Sequence, residues 1–177
     1  MEKLRRASGA GADEFTFRAA DRGDIGDVNA LYRAVVKKMR ADGLDQWNDE
    51  YPFALLSDDI GRGEMYLGTH GGKIVSAITV MPRGDEEYEI AKWKEPDARA
   101  AILHRLCVVP ELRRSGIASR MVEEAETLCR SAGYEYARLD AFSENIRSVS
   151  LYEKLGYKRV GEFTRDIGIC YFMEKKL

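Results

Sequence analysis

Along this chain the spacing of apolar residues switches several times between every second residue and every third or fourth. A chain patterned in that way buries its core by laying helices on a sheet. "FTFRA" at 15–19 alternates like a half-buried strand. Ile25, Val28, Tyr32, Val35 and Met39 then form a helical stripe behind Asp24, a candidate cap. After an aromatic loop, "LDQWNDEYPF", a short helix is predicted over Leu55–Ile60. Two β-rich runs in "EMYLGTHGGKIVSAITVM" are joined by "THGG", which reads as a hairpin. "AILHRLCVV" and "YARLDAF" are strand-like, and the stripe Ile117, Met121, Val122, Ala125 and Leu128 between them is helical. "NIRSVSLYEKLG" is an amphipathic helix, and "KRVGEF" and "ICYFMEKKL" close the chain as strands. The acidic stretch "GDEEYEIAKWKEPD" has no long apolar face and reads as an exposed excursion or a pocket lining.

With 177 residues, one domain is expected over 15–177, behind a flexible Gly/Ala-rich tail at 1–14 that lacks the apolar core of a secretory signal. A net charge of −2 offers no basic excess for phosphate backbones, so no nucleic-acid partner is expected. No apolar run approaches the roughly 20 residues of a membrane span. Cys107, Cys129 and Cys170 are widely spaced and include no C-x-x-C pair. Neither a disulfide framework nor a metal site is therefore expected, and a reducing cytoplasm suits the chain.

The loop "VVPELRRSGIA" at 108–118 lies between a strand and the start of a helix. The first N–H groups of a helix lack intrahelical partners, and the helix dipole adds positive charge there. Gly116 lets an anion approach the backbone, Ala118 keeps the next turn small, and Arg113 and Arg114 supply charge and forked donors. Taken alone, R-x-x-G-x-A also fits a plain basic turn. "THGGK" lacks P-loop spacing and no G-x-G-x-x-G occurs, so nucleotide hydrolysis loses support.

Arg113-Arg114-Ser115-Gly116-Ile117-Ala118 resembles the acetyl-CoA motif Q/R-x-x-G-x-G/A of the GNAT superfamily of N-acetyltransferases. "NIRSVSLYEKLGYKRVG" is similar to the segment that follows in that family, and the resemblance covers roughly Phe15 to Leu177. It implies an α/β (α+β) fold: a central mixed, mostly antiparallel sheet of about six to seven strands, flanked by about four helices. The sheet would be splayed between the strand ending at Val109 and the strand containing Asp140, with the pantetheine arm in the cleft. The implied cosubstrate is acetyl-CoA. Its diphosphate would lie on Arg113, Arg114, Ser115, Gly116, Ile117 and Ala118, and its arm along Leu106 and Val108. A main-chain N–H at Leu106 or a neighbour would bind the thioester oxygen. Asn145 would bond the pantetheine amides, and Tyr152 would give a proton to the departing sulfur. Asn145 and Tyr152 stand seven apart, two helical turns, so one arm could touch both.

Acetyl transfer also needs a proton acceptor for the amine. His104 is the candidate; a packed, hydrogen-bonded role fits it equally, and Glu89 is the next choice. Strand alternation places His104 on one face with Ile102, Leu106 and Val108, and Arg105 on the other with Leu103 and Cys107. Trp47 and Tyr51 are core or pocket aromatics, His70 a turn residue, and Cys107 a small core residue rather than a nucleophile. The expected activity is direct transfer to a primary amine of a small molecule or peptide, without a metal, and a homodimer stays open. Two alternatives are a non-catalytic CoA-binding sensor or partner module on the same fold, and a phosphate-binding protein unrelated to CoA. Asp85, Glu86, Glu87 and Glu89 hint at a cationic acceptor.

Overall fold

The computed structural model describes residues 15–177; the tail expected over 1–14 lies outside the described residues. In chain order the elements are β1 (Thr16–Ala19), α1 (Ile25–Ala41), α2 (Phe53–Gly61), β2 (Met65–His70), β3 (Lys73–Met81), β4 (Ala100–Val108), α3 (Ile117–Ser131), β5 (Tyr136–Phe142), α4 (Ile146–Lys154), β6 (Lys158–Arg165) and β7 (Gly168–Lys176). The seven strands form one sheet in the order β1-β2-β3-β4-β5-β7-β6. The β2–β3 turn is Gly71-Gly72, with φ of +58° and +74°. Tight hairpins demand that left-handed geometry, and glycine supplies it without steric cost.

The helical stripes bury against opposite faces of the sheet. Met121, Val122, Ala125 and Cys129 of α3 and Val149 and Tyr152 of α4 pack on Ile78, Ala101, Leu103, Ala137, Leu139, Ala141 and Met173. On the other face Val28, Leu31, Tyr32, Val35, Val36 and Met39 of α1 join Leu56 and Ile60 of α2 over Met65, Leu67, Ala77 and Cys107. Each large apolar side chain buried this way contributes about 1.5–3 kcal/mol, which outweighs the weak propensity of the short helices.

Every strand pair is antiparallel except β4 with β5. These two are parallel and in register only at Ala100 with Tyr136, Ala101 with Ala137 and Ile102 with Arg138. Past Ile102 no ladder joins them, although β4 runs on to Val108 and β5 to Phe142. The sheet is splayed there.

The acidic stretch between β3 and β4 is anchored by its aromatics. Tyr88 is buried beside Phe142, Phe163 and Phe172, and Trp93 stacks on Tyr88 and meets Phe172 edge-on. The Lys94 N–H donates to Glu174 Oε1 at 2.8 Å, and Arg138 Nη2 donates to the Glu95 carbonyl at 2.6 Å. An excursion that begins at the end of β3 is thus fastened to β5 and β7, across the splay.

Candidate active site

The strand alternation expected for β4 breaks at Arg105. Thr79 pairs with His104 but Ala77 pairs with Cys107, so β4 carries one extra residue opposite Ile78, a β-bulge. Arg105 has φ of +53°, a left-handed conformation that costs a side-chain-bearing residue about 1–2 kcal/mol. Two contacts hold it there. Its guanidinium donates to both carboxylate oxygens of Asp59, at 2.8 and 3.0 Å, and Asp59 is fully buried. The Tyr32 hydroxyl donates to the Arg105 carbonyl at 2.6 Å. In consequence Leu103 and Leu106 pack on the α3/α4 face, whereas Arg105 and Cys107 turn toward α1 and α2 and His104 toward Tyr88. His104 therefore does not share a face with Leu106. A trans peptide directs its carbonyl and its N–H oppositely. The Arg105 carbonyl is drawn toward α1, so the Leu106 N–H is directed toward the α4 side.

The splay opens into a cavity of about 660 Å³. His104, Arg105 and Leu106 line it from β4, Asp140 and Ala141 from β5, and Ser148 and Tyr152 from α4. Trp47 and Tyr51 border it ahead of α2, although Trp47 is also a core residue against Tyr32. Asp85 and Glu87 reach it from the excursion, whereas Glu86 and Glu89 are exposed and outside its lining.

Asn145 has a different setting from Tyr152. It is the N-cap of α4, where its Oδ1 accepts from the Ser148 N–H and its Nδ2 donates to Gln46 Oε1 at 2.9 Å. The residue that shares the cavity with Tyr152 along the helix is Ser148, one turn back. Burial pushes the Tyr152 phenol far above its ordinary range, so it keeps its proton.

His104 is 8% exposed. Burial lowers its pKa, and Asp140 opposes the shift while Arg105 reinforces it, so the imidazole is neutral at working pH. Tyr88, which the sequence did not single out, donates from its hydroxyl to Asp140 Oδ1 at 2.8 Å and lies 3.3 Å from His104 Nε2. The three cysteines are buried. Burial raises Cys107 to about 12 and Cys170, which borders the cavity, to about 11, so neither is a ready thiolate.

Beyond the end of β4, the loop from Val109 to Gly116 uses two left-handed residues, Arg114 (φ +67°) and Gly116 (φ +86°). Gly116 is the N-cap of α3 and provides no side-chain cap, and the first turn holds no acidic residue. A Cβ built on Gly116 meets nothing within 4 Å. The N–H groups of Ile117 and Ala118 therefore begin the helix beside open space. Ser115 Oγ donates to the Leu112 carbonyl, Arg114 is exposed, and Val108 ends β4 opposite Ser76. Arg113 is committed elsewhere: its Nη1 donates to Asp42 Oδ2 at 2.8 Å. Asp42, just past α1, also accepts from Lys38 and from Arg147 in the first turn of α4. Lys38 foremost, then Arg113, holds its carboxyl down to about 2.

The sequence pattern of the acetyltransferase (GNAT) family matches residues 29–157, which run from α1 past α4 and contain the splay and its loop. The chain belongs to the acetyltransferase (GNAT) family. It is an acyltransferase of the GNAT type. It is 23% identical over 170 residues to the uncharacterized N-acetyltransferase YesJ of Bacillus subtilis (strain 168), spanning 94% of this chain and 92% of that protein. A GNAT-family acetyltransferase structure from Streptococcus agalactiae 2603 superposes with a TM-score of 0.81 at 24% identity, over 92% of this chain and 95% of that one. The PaiA N-acetyltransferase of Thermoplasma acidophilum, solved with coenzyme A, superposes with a TM-score of 0.71 at 20% identity, over 93% and 99%. The GNAT fold accounts for the seven-stranded open sheet and its four helices. Among the described residues no helix is long and apolar enough to cross a membrane.

Proposed function

We propose that this GNAT enzyme transfers an acetyl group from acetyl-CoA directly to the primary amine of a small molecule or peptide, in the cytoplasm, without a covalent enzyme intermediate. The observation that carries this reading is the splay. It brings Tyr152 and Ser148 from one face of the sheet and His104 and Asp140 from the other into one cavity, and β4, which lines that cavity, leads on through the loop to the uncapped N-terminus of α3. In this reading the diphosphate takes the N–H groups of residues 116–118, with Arg113 and Arg114 beside them. The arm follows Val108 and Leu106. The Leu106 N–H, turned out by the bulge, receives the thioester oxygen as it gains negative charge. The amine enters from the α1/α2 side, loses its proton to His104 and attacks the carbonyl, while the Tyr152 hydroxyl attends the departing sulfur. The high pKa of Cys107 and Cys170 favours direct transfer over an acyl-cysteine. The competition of Gln46 for Asn145 means that an arm bonding Asn145 would first displace Gln46.

Gly116→Glu tests the loop. The new side chain is strained by φ of +86° and puts a carboxylate in front of α3. CoA affinity is expected to fall at least tenfold, the equivalent of about 1.4 kcal/mol, with the circular dichroism spectrum kept. Unchanged affinity by calorimetry would move the diphosphate elsewhere. Asp42→Asn tests the reverse. It removes a carboxylate from Arg113 and Arg147, so CoA should bind several-fold more tightly at low salt, and the gain should shrink as salt rises. Weaker binding would instead make Asp42 the group that aims Arg113. A turnover assay by free-thiol release against a panel of amines separates the enzyme from a CoA-binding sensor.

A further inference from the structure

We propose that Tyr88 is a positioning residue for acetyl transfer: held by Asp140, its hydroxyl fixes the His104 imidazole as the Nε2–H tautomer, so that Nδ1 is the atom that takes the proton of the acceptor amine. This inference rests on the reading of His104 as the base and adds which nitrogen acts and what selects it.

A phenol has one proton and two acceptor lone pairs. Tyr88 Oη lies 2.8 Å from Asp140 Oδ1 and 3.3 Å from His104 Nε2. The carboxylate is both nearer and charged, so it takes the phenolic proton in the stronger, charge-assisted bond. The oxygen then has only lone pairs left for the imidazole. Facing them, Nε2 is stabilised when it carries hydrogen and repelled when it does not. A neutral imidazole has one N–H, which leaves Nδ1 as the lone-pair nitrogen.

The hydroxyl is itself held firmly. The Tyr88 ring stacks on Trp93 at 5.7 Å between centroids and meets Phe172 edge-on at 5.5 Å. Its main-chain carbonyl accepts from Trp93 Nε1 at 2.8 Å. Burial raises the phenol well above its ordinary range, so it stays protonated. Nδ1 lies 3.9 Å from Asp140 Oδ1, beyond hydrogen-bond reach but close enough for the carboxylate to steady an imidazolium. The proton balance is simple: an N–H bond of the entering ammonium breaks as an Nδ1–H bond forms, and the neutral amine then forms the C–N bond as the C–S bond to CoA breaks. The charged and titratable groups around the imidazole are Arg105 on its own strand, Asp140 on β5, Asp85 and Tyr88 from the excursion, and Arg165 on β6.

The tautomer can be read without activity. The chain has two histidines, so 15N-histidine spectra of the full-length ligand-free protein contain two imidazoles, and the signals absent from His104→Asn are those of His104. The expected state is protonated Nε2 and unprotonated Nδ1. Tyr88→Phe keeps the ring and its packing and deletes the hydroxyl. It should shift His104 toward a tautomer mixture and lower kcat/KM by roughly tenfold, a fraction of the roughly 100-fold or more that a general base contributes. The acidic limb of the wild-type pH profile should fall below the ordinary histidine value near 6.5, because burial disfavours the imidazolium. In the His104→Asn background, Tyr88→Phe should cost no further activity. An Nδ1–H tautomer in the wild-type protein overturns the role of Tyr88 while leaving His104 a candidate base. Wild-type kcat/KM in His104→Asn overturns the base reading and the inference with it. An equal cost of Tyr88→Phe with and without His104 assigns the tyrosine to packing alone.

Discussion

Asp59→Ala is expected to destabilise the protein by about 3–5 kcal/mol, the usual cost of removing one partner from a buried ion pair. Asp59 is fully buried and is bonded at both carboxylate oxygens by Arg105, whose side chain is 5% exposed. It also accepts from Thr79 Oγ1 at 3.2 Å and from the half-exposed Arg62 at 2.9 Å. Alanine leaves the Arg105 guanidinium in the interior without a carboxylate, and Arg62 cannot replace it because it too is a cation. At about 2–4 °C per kcal/mol for a chain of this size, the melting temperature should fall by roughly 6–20 °C. The bulge has a local signature as well. Without Asp59 the left-handed Arg105 loses its main tether, so amide exchange at Leu106 should accelerate more than at the paired residues Ala101 and Ile102. Combining Asp59→Ala with Arg105→Met should recover much of the stability, since the pair is then absent rather than broken. Urea unfolding of the single and double variants measures all of this. A loss below 1 kcal/mol for the single variant would show that the guanidinium reaches water.

Tyr152→Phe is expected to lower kcat by on the order of 100-fold, the lower end of general-acid contributions, with CoA affinity nearly unchanged. The ring packs edge-on against Tyr157 at 5.5 Å, a contact that phenylalanine keeps. Only the hydroxyl is lost, and it matters where the sulfur becomes a thiolate, so the defect belongs in kcat more than in binding. The phenol holds its proton across the assay range because burial disfavours the phenolate. The wild-type kcat should thus show no limb from this group below pH 9. Full turnover in the variant would falsify the assignment and leave Tyr152 a packing residue.

The motif around Gly116 and the order of strands and helices were legible because each depends on residues close together in the chain. The short-range period of α3 and the turn glycines of the hairpin need no distant partner to be read. The faces of β4 were misread because alternation assumes an unbroken strand. The one added residue at Arg105 is paid for by Asp59 and Tyr32, which lie 46 and 73 positions away. Tyr88 was overlooked for a related reason: it and Trp93 are irregularly spaced among charges, and no period marks them as core. Asn145 was placed on a helix face two turns from Tyr152, whereas its side chain turns back to cap the helix, a choice the short polar side chains of N-cap residues commonly make. The pairing of Arg113 with Asp42 spans 71 positions and has no local trace at all.

The two halves of the sheet share three residue pairs of backbone ladder, and the segment from Asp85 to Glu95 fastens them a second time through Tyr88, Trp93, Lys94 and Glu95. That segment behaves like a strut set across an open hinge: its length and the size of its aromatics fix how wide the gap stands. The strands on either side need not change for the gap to change. Resizing that one connection would alter the gap while leaving the loop before α3, a helix that packs on the other face of the sheet, with its geometry unchanged.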